Sequence, residues 1–299
     1  MTSFLRLFLL STFLSVNFCC QQPKQAESPN RVSIIGTDAG SMASSATCTR
    51  IVTWNIANLG KSKDNQEIEF MAELLRGFDL VCIQEVSTGP AGAQAVARLA
   101  DALNRKGFAW DYKISDPTTG EGSERYAMLW KKSKVRLYGK AWLEQSLEAS
   151  INREPMLARF ISGSDTFLLA TMHAVPKGKN PARENAQLYK LDSIYHQDHL
   201  LMMGDFNASH RSEAFDKMYS RKISNTISNQ KTTLKMEPHP STGEHLASEY
   251  DNIFYEKDEI NLSECGIVDF SRKCKDLKSA RLISDHIPVW GCYSLRSRN

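Results

Sequence analysis

Cysteine is scarce in this 299-residue chain, seven in all, and none of the last five carries the paired spacing of a zinc site. That excludes a disulfide-dense miniprotein and a zinc-finger module. No histidine precedes His173, so any histidine chemistry belongs to the later part of the chain. No Gly-rich phosphate loop or dinucleotide fingerprint appears, which argues against nucleotide-driven transfer. Neither sign of charge dominates: 37 basic and 34 acidic residues leave +3 at pH 7, too balanced to argue for nucleic acid by itself. Long apolar runs are missing too. The one near the start, residues 7–18, is interrupted by Ser11, Thr12, Ser15 and Asn17 and falls short of the ~20 residues a bilayer requires. What remains, 41% apolar and 24% charged, is ordinary for a globular protein and excludes a disordered or collagen-like chain.

The first twenty residues stand apart. Arg6 is the only charge before Lys24, and the short apolar stretch then gives way to polar sequence. A basic start, an apolar core and a polar sequel predict a signal peptide over residues 1–20, with a membrane anchor as the alternative. Cys19 and Cys20 sit where a bacterial lipoprotein carries its lipidated cysteine, although residues 16–18 fit a lipobox poorly. A membrane tether through Cys19 or Cys20 and plain cleavage with release therefore both stand. Residues 21–47 are small and polar and predict a flexible leader, leaving 48–299 as one folded domain. The expected location is secreted, periplasmic or cell-surface.

Within that domain, short β-type runs alternate with amphipathic stretches. Strands are expected at 50–56, 78–84, 109–114, 125–130, 134–139, 156–161, 166–173, 200–206, 250–255 and 286–293. Helices are expected at 65–76, 94–106 and 185–196. Two early helices followed by a β-rich middle favour sheet packed on sheet with helices outside.

The informative residues stand at the ends of these strands. Asn55, Glu85 and His173 each close an apolar run; Asp205 and Asn207 close another; Asp251 and Asn252 sit in the next, and Asp285 and His286 open the last. A single buried carboxylate is usually a cap or turn former, but so many at strand ends point to one cleft. Carboxylates and amides without clustered cysteine favour a hard cation such as Mg2+ or Mn2+. Two histidines with carboxylate partners add acid–base chemistry near neutral pH, and the set suits hydrolysis of a phosphate ester.

Eight segments then occur in a telling order: WNIANLG (54–60), IQEV (83–86), SERYAMLWKKSKV (123–135), NREPMLARF (152–160), MHAVP (172–176), MGDFNAS (203–209), YDNIF (250–254) and ISDHIPV (283–289). Together they resemble the endonuclease/exonuclease/phosphatase superfamily, nearest its deoxyribonuclease I branch. The resemblance implies a four-layer α/β sandwich, with two facing mixed β-sheets flanked by helices. It implies metal ligation by Glu85 and Asn55, with Asp285 contributing. His173 would be oriented by Glu124 and His286 by Asp251, with His286 as base and His173 as acid. Asp205 and Asn207 would position water and the scissile phosphate, while Arg153 and Asn252 would contact substrate. Cleavage would leave 5′-phosphate ends. The implied protein is a monomeric endonuclease whose partner is nucleic acid, DNA foremost; a phosphodiesterase or phosphatase acting on a lipid or small phosphate ester and a non-enzymatic surface lipoprotein are the alternatives.

Departures from that branch bear on substrate grip. Ser87 and Gly122 replace the arginine and tyrosine that enter the DNA minor groove, and Ser209 replaces a disulfide cysteine. The calcium loop is not recognisable in residues 239–249, so Ca2+ remains an open alternative. Separately, Cys48 and Cys292 each lie seven residues from a proposed metal-site residue, Asn55 and Asp285. If the first and last strands run antiparallel, these cysteines meet in a disulfide. Cys265 and Cys274 bracket a short polar loop and form a second expected pair.

Overall fold

Alternating apolar positions along the strands build two sheets that bury their inner faces against each other. The computed structural model describes residues 32–34 and 48–296. The remaining residues, including the expected signal peptide, Cys19 and Cys20, lie outside the described residues. Within the stretch expected to be leader, β1 (Val32–Ile34) is a three-residue strand.

The larger sheet has seven strands in the order β1, β12 (Ile260–Ile267), β13 (Val289–Leu295), β2 (Thr49–Leu59), β3 (Leu80–Val86), β5 (Arg125–Lys131) and β4 (Trp110–Ile114). The smaller has six: β10 (Ile223–Asn225), β11 (Asp251–Glu256), β9 (His199–Asp205), β8 (Asp165–His173), β7 (Met156–Ser162) and β6 (Val135–Leu143). Both are mixed. β2 with β3 and β8 with β9 run parallel, while β13 with β2 and β11 with β9 run antiparallel.

Side-chain alternation sorts the smaller sheet's residues into two cores. Leu169, Leu201, Met203 and Ile253 belong to the main core shared with the larger sheet. Ala170, Leu200, Met202 and Phe254 join an outer core with Leu188, Leu191, Phe215 and Met218. The latter come from or beside the short helices α3 (Pro181–Asn185), α4 (Tyr189–Ile194) and α5 (Asp216–Ser220). On the other side, α1 (Asn65–Leu75) and α2 (Pro90–Arg105) bury Ile68, Met71, Leu75, Val96, Leu99 and Leu103. Each such side chain contributes roughly 1.5–3 kcal/mol of transfer free energy when fully buried. Asp64 and Glu67 start α1 with a reciprocal capping box. These are the expected four layers: helix, sheet, sheet, helix.

Three local expectations need correction. The third helix is two short ones, because the chain turns between Asn185 and Tyr189. β12 and α6 (Leu277–Ile283) were not anticipated: β12 reads INLSECGI, with exposed polar residues along its first half. The final strand starts at Val289, leaving Asp285 and His286 in the turn before it.

Cys48 and Cys292 form the expected disulfide, with Cα atoms 5.5 Å apart. Antiparallel pairing of β13 with β2 brings them together, as Cys292 lies opposite Arg50. Cys265 and Cys274 do not pair with each other. The first lies within β12, whereas the second thiol donates to the Phe270 carbonyl at 3.7 Å.

Candidate active site

Strand register creates the site. Asp205, the last residue of β9, stands beside His173 of parallel β8 and opposite Asp251 of antiparallel β11. Three chemically active side chains thus reach one end of the smaller sheet. Asn55 and Glu85 arrive from β2 and β3 of the facing sheet. The Gln84 carboxamide bridges the sheets just below, donating to Thr53 Oγ1 (2.9 Å) and Thr171 Oγ1 (2.7 Å).

Asp205 is 1% exposed. Its Oδ2 accepts from Asn55 Nδ2 at 3.0 Å and lies 3.2 Å from His173 Nε2 and 3.5 Å from His286 Nε2. Its Oδ1 accepts the Asn207 backbone N–H at 2.9 Å. Burial opposes its charge, but the two imidazoles outweigh that penalty and hold the carboxyl below its usual range.

Each histidine is also held from behind. His173 Nδ1 lies 2.9 Å from Glu124 Oε2, and His286 Nδ1 lies 2.8 Å from Asp251 Oδ2. These carboxylates favour the Nδ1–H form and leave Nε2 facing Asp205. Burial pulls both imidazoles toward neutrality. The carboxylates more than offset it, raising each to about 10. Asp251, unlike Asp205, is raised, by its own burial despite His286 and a 2.7 Å hydrogen bond from Thr232.

Glu85 adopts a left-handed backbone, φ 60°, unusual for a residue with a side chain. Glu124 Oε1 accepts its N–H at 3.1 Å, while its carboxylate accepts from Asn55 Nδ2 (3.0 Å) and the Asn58 N–H (3.1 Å). Asn55 Oδ1 is buried without a hydrogen-bond partner. An orphaned amide oxygen beside a partly exposed carboxylate is a hard-oxygen donor set that fits a divalent cation. Asp205, Asp251 and His286 also cluster within 4.8 Å, but His286 Nδ1 and Asp251 Oδ2 already satisfy each other at 2.8 Å. Asp251 Oδ1 is likewise buried without a partner, so what favours Asn55 and Glu85 as the seat is access: the Glu85 side chain is about a quarter exposed, whereas Asp251 is enclosed.

Three expected roles look different in place. Arg153, expected on a substrate phosphate, is 5% exposed. Its Nη1 donates to Glu124 Oε2 (2.8 Å) and its Nη2 to the Ala174 carbonyl, while its Nε is buried without a hydrogen-bond partner. Asn252, expected at substrate, alternates to the outer face of β11. There its Oδ1 accepts the N–H groups of Thr226, Ile227 and Ile253, and its Nδ2 donates to the Ile227 carbonyl. Asp285, expected on the metal, turns to Arg281 at 3.3 Å with two-fifths of its side chain exposed. Asn207 stays at the rim, φ 47°, its amide donating to the Ala174 carbonyl at 3.0 Å.

Thr232 and Ser284 were not anticipated. Thr232 lies in a polar stretch without periodicity, so no sequence signal marks it. Ser284 was visible within the ISDH segment, and its Oγ donates to the Asn55 carbonyl at 2.6 Å while accepting the His286 N–H at 3.0 Å.

No curated protein matches the sequence. Among solved structures, an endonuclease/exonuclease/phosphatase family protein from Bacteroides thetaiotaomicron superposes with a TM-score of 0.61 at 14% identity, covering 83% of this chain and 97% of that one. D. rerio TDP2 complexed with a single-strand DNA product gives 0.59 at 15% identity, over 83% and 100%. A mannosyl-6-phosphatase from Bacteroides thetaiotaomicron gives 0.60 at 13% identity, over 83% and 99%. At such identities the likeness establishes the fold. The sequence itself matches the Endonuclease/Exonuclease/phosphatase family model over residues 52–286, a span that holds every group converging on Asp205, and the chain belongs to that family.

Proposed function

We propose that this protein is a divalent-metal-dependent phosphodiesterase that cuts DNA as an exported endonuclease. One observation carries the reading: Asp205 Oδ2 gathers Asn55 Nδ2 and the Nε2 atoms of two carboxylate-backed histidines within 3.5 Å. Such a cluster has both a proton acceptor and a proton donor, as phosphodiester hydrolysis requires.

Asn55 and Glu85 would hold Mg2+ or Mn2+, which when bound neutralises phosphate charge and polarises the P–O bond. His286, backed by Asp251, takes the proton of the attacking water at Nε2 once the ring has released the proton that Asp251 and Asp205 hold on it. His173, backed by Glu124, returns a proton at Nε2 to the departing 3′ oxygen. Asp205 orients the water between them, and the Asn207 amide offers a donor to the phosphate. Arg153 fixes Glu124 and so the ring of His173. The resulting ends are 5′-phosphate and 3′-hydroxyl.

TDP2 bound to a DNA product supports a nucleic-acid substrate. The Cys48–Cys292 bridge suits an oxidising compartment and so supports export. The mannosyl-6-phosphatase neighbour favours the alternative, a small phosphate ester. Incubation with plasmid, single-stranded RNA, sphingomyelin and a sugar phosphate, each with Mg2+ or EDTA, decides between them. Metal-dependent plasmid nicking, reduced ~10²–10⁴-fold by His286→Ala, is the expected result. Release of inorganic phosphate or phosphocholine without nicking would overturn the DNA reading.

A further inference from the structure

The turn after β2 sends one lysine inward. Lys63 is 4% exposed, and its ammonium donates to the carbonyls of Leu282 (2.7 Å) and Ile283 (2.8 Å), the last two residues of α6. A helix leaves its final carbonyls without intrahelical partners, and a cation there is favoured by the helix dipole. Arg281, the basic residue in that last turn, is engaged elsewhere, with the Leu234 carbonyl at 2.7 Å and Asp285 at 3.3 Å. Lys63 therefore closes the end of α6.

The three residues that follow α6 are Ser284, Asp285 and His286. Ser284 Oγ ties them to the Asn55 carbonyl, and the Trp54 indole donates to the His286 carbonyl at 2.8 Å. Lys63 is itself held from behind. Its N–H donates to the Gly60 carbonyl at 3.2 Å, and its carbonyl accepts from Arg98 of α2 at 2.8 Å. Burying an ammonium is costly, so its place here, with Glu67, Glu85 and Asp285 in electrostatic reach, calls for a purpose beyond packing.

We propose that Lys63 is a positioning residue for hydrolysis: by closing the C-terminal end of α6 it fixes residues 284–286, and thereby the distance of His286 from Asn55. This rests on the phosphodiesterase reading for its kinetic consequence, but not for its structural one.

Hydrogen–deuterium exchange and steady-state kinetics on plasmid and bis(p-nitrophenyl) phosphate with Mg2+ test it in Lys63→Met, Lys63→Arg and the surface control Lys140→Met. In Lys63→Met, exchange across residues 284–288 should rise about tenfold while β8 and β9 stay protected. Its kcat should fall at least about tenfold with KM within about twofold, because a misplaced base costs rate rather than binding. Lys63→Arg should recover most of both effects, and Lys140→Met should match the parent. Unchanged exchange at 284–288, a uniform rise over the whole chain, or an unchanged kcat in an active protein would each overturn the proposal. A parent protein inactive on both substrates would sink the phosphodiesterase reading, and the exchange result would still decide Lys63. If Lys63→Met does not fold, Lys63→Gln removes the same ammonium while keeping a polar head, with the same outcomes required.

Discussion

At the scale of single residues, the site separates side chains that face the reaction from those that hold them. Asn252 belongs to the second group despite standing next to Asp251. Three backbone N–H groups and one carbonyl depend on its carboxamide. Asn252→Ala should therefore cost stability, about 1–3 kcal/mol for the buried partners left unmet, with kcat of the folded protein unchanged. Urea unfolding alongside kinetics checks this; a large kcat loss at undiminished stability would return Asn252 to the substrate. The sequence marks a polar residue at a strand end but not which face it occupies. A one-residue step reverses the face, so Asp251 lies against His286 while the neighbouring Asn252 turns to the Thr226–Ile227 backbone. The burial of Arg153 is hidden from the sequence for a related reason. Its motif is visible, but the depth at which Glu124 and Ala174 enclose it is a tertiary property.

Among elements, the parallel pairing of β8 with β9 sets the separation of His173 from Asp205. It depends on Gly204, whose φ of 139° lies where side chains are strained, and where an added Cβ would come within 1.9 Å of the Met172 carbonyl oxygen. Gly204→Ala should lose roughly 1–3 kcal/mol to strain and lower kcat more steeply than stability, since the residue that must move adjoins Asp205. Thermal unfolding and kinetics on the same sample would show it; wild-type values for both would refute it. The far end of β11 makes a different expectation. Burial, then the neighbouring Asp192 carboxylate, raise Glu256 to about 8. Across the interval from pH 4.5 to about 8 the folded state keeps a proton that the unfolded chain has released. Stability should thus fall as pH rises through that interval, and Glu256→Gln should flatten the decline. A Gln variant with the parent's slope in urea titrations would refute it. Elements with clean periodicity, such as α1 and β3, were legible from sequence. β12 was not, because its exposed polar residues mask the strand pattern until its neighbours β1 and β13 are in place.

For the whole molecule, the decisive link joins strands far apart in sequence. β2 and β13 are neighbours in the larger sheet, and Cys48–Cys292 spans 244 residues between them. That pairing was legible because it required only an antiparallel register and equal distances from the site. The Cys265–Cys274 expectation used proximity in sequence alone, and the β12 geometry defeats it. A cross-link over so long a loop restricts the unfolded ensemble far more than the folded one, by about 2–4 kcal/mol in typical cases. Adjacent antiparallel strands already hold the two cysteines together, so the folded state gains little new order from the bond. Cys48→Ser/Cys292→Ser should therefore lower Tm by roughly 5–15 °C, at about 2–4 °C per kcal/mol for a domain of this size. Dithiothreitol should shift the parent toward the double variant and leave the variant where it is. The site should keep its kcat at 25 °C in both, because strand pairing from Val289–Thr53 to Gly291–Ile51 separates the bridge from Asn55. A parent Tm indifferent to reductant would show that the bridge does not form, and with it would go the argument from oxidation to an exported protein.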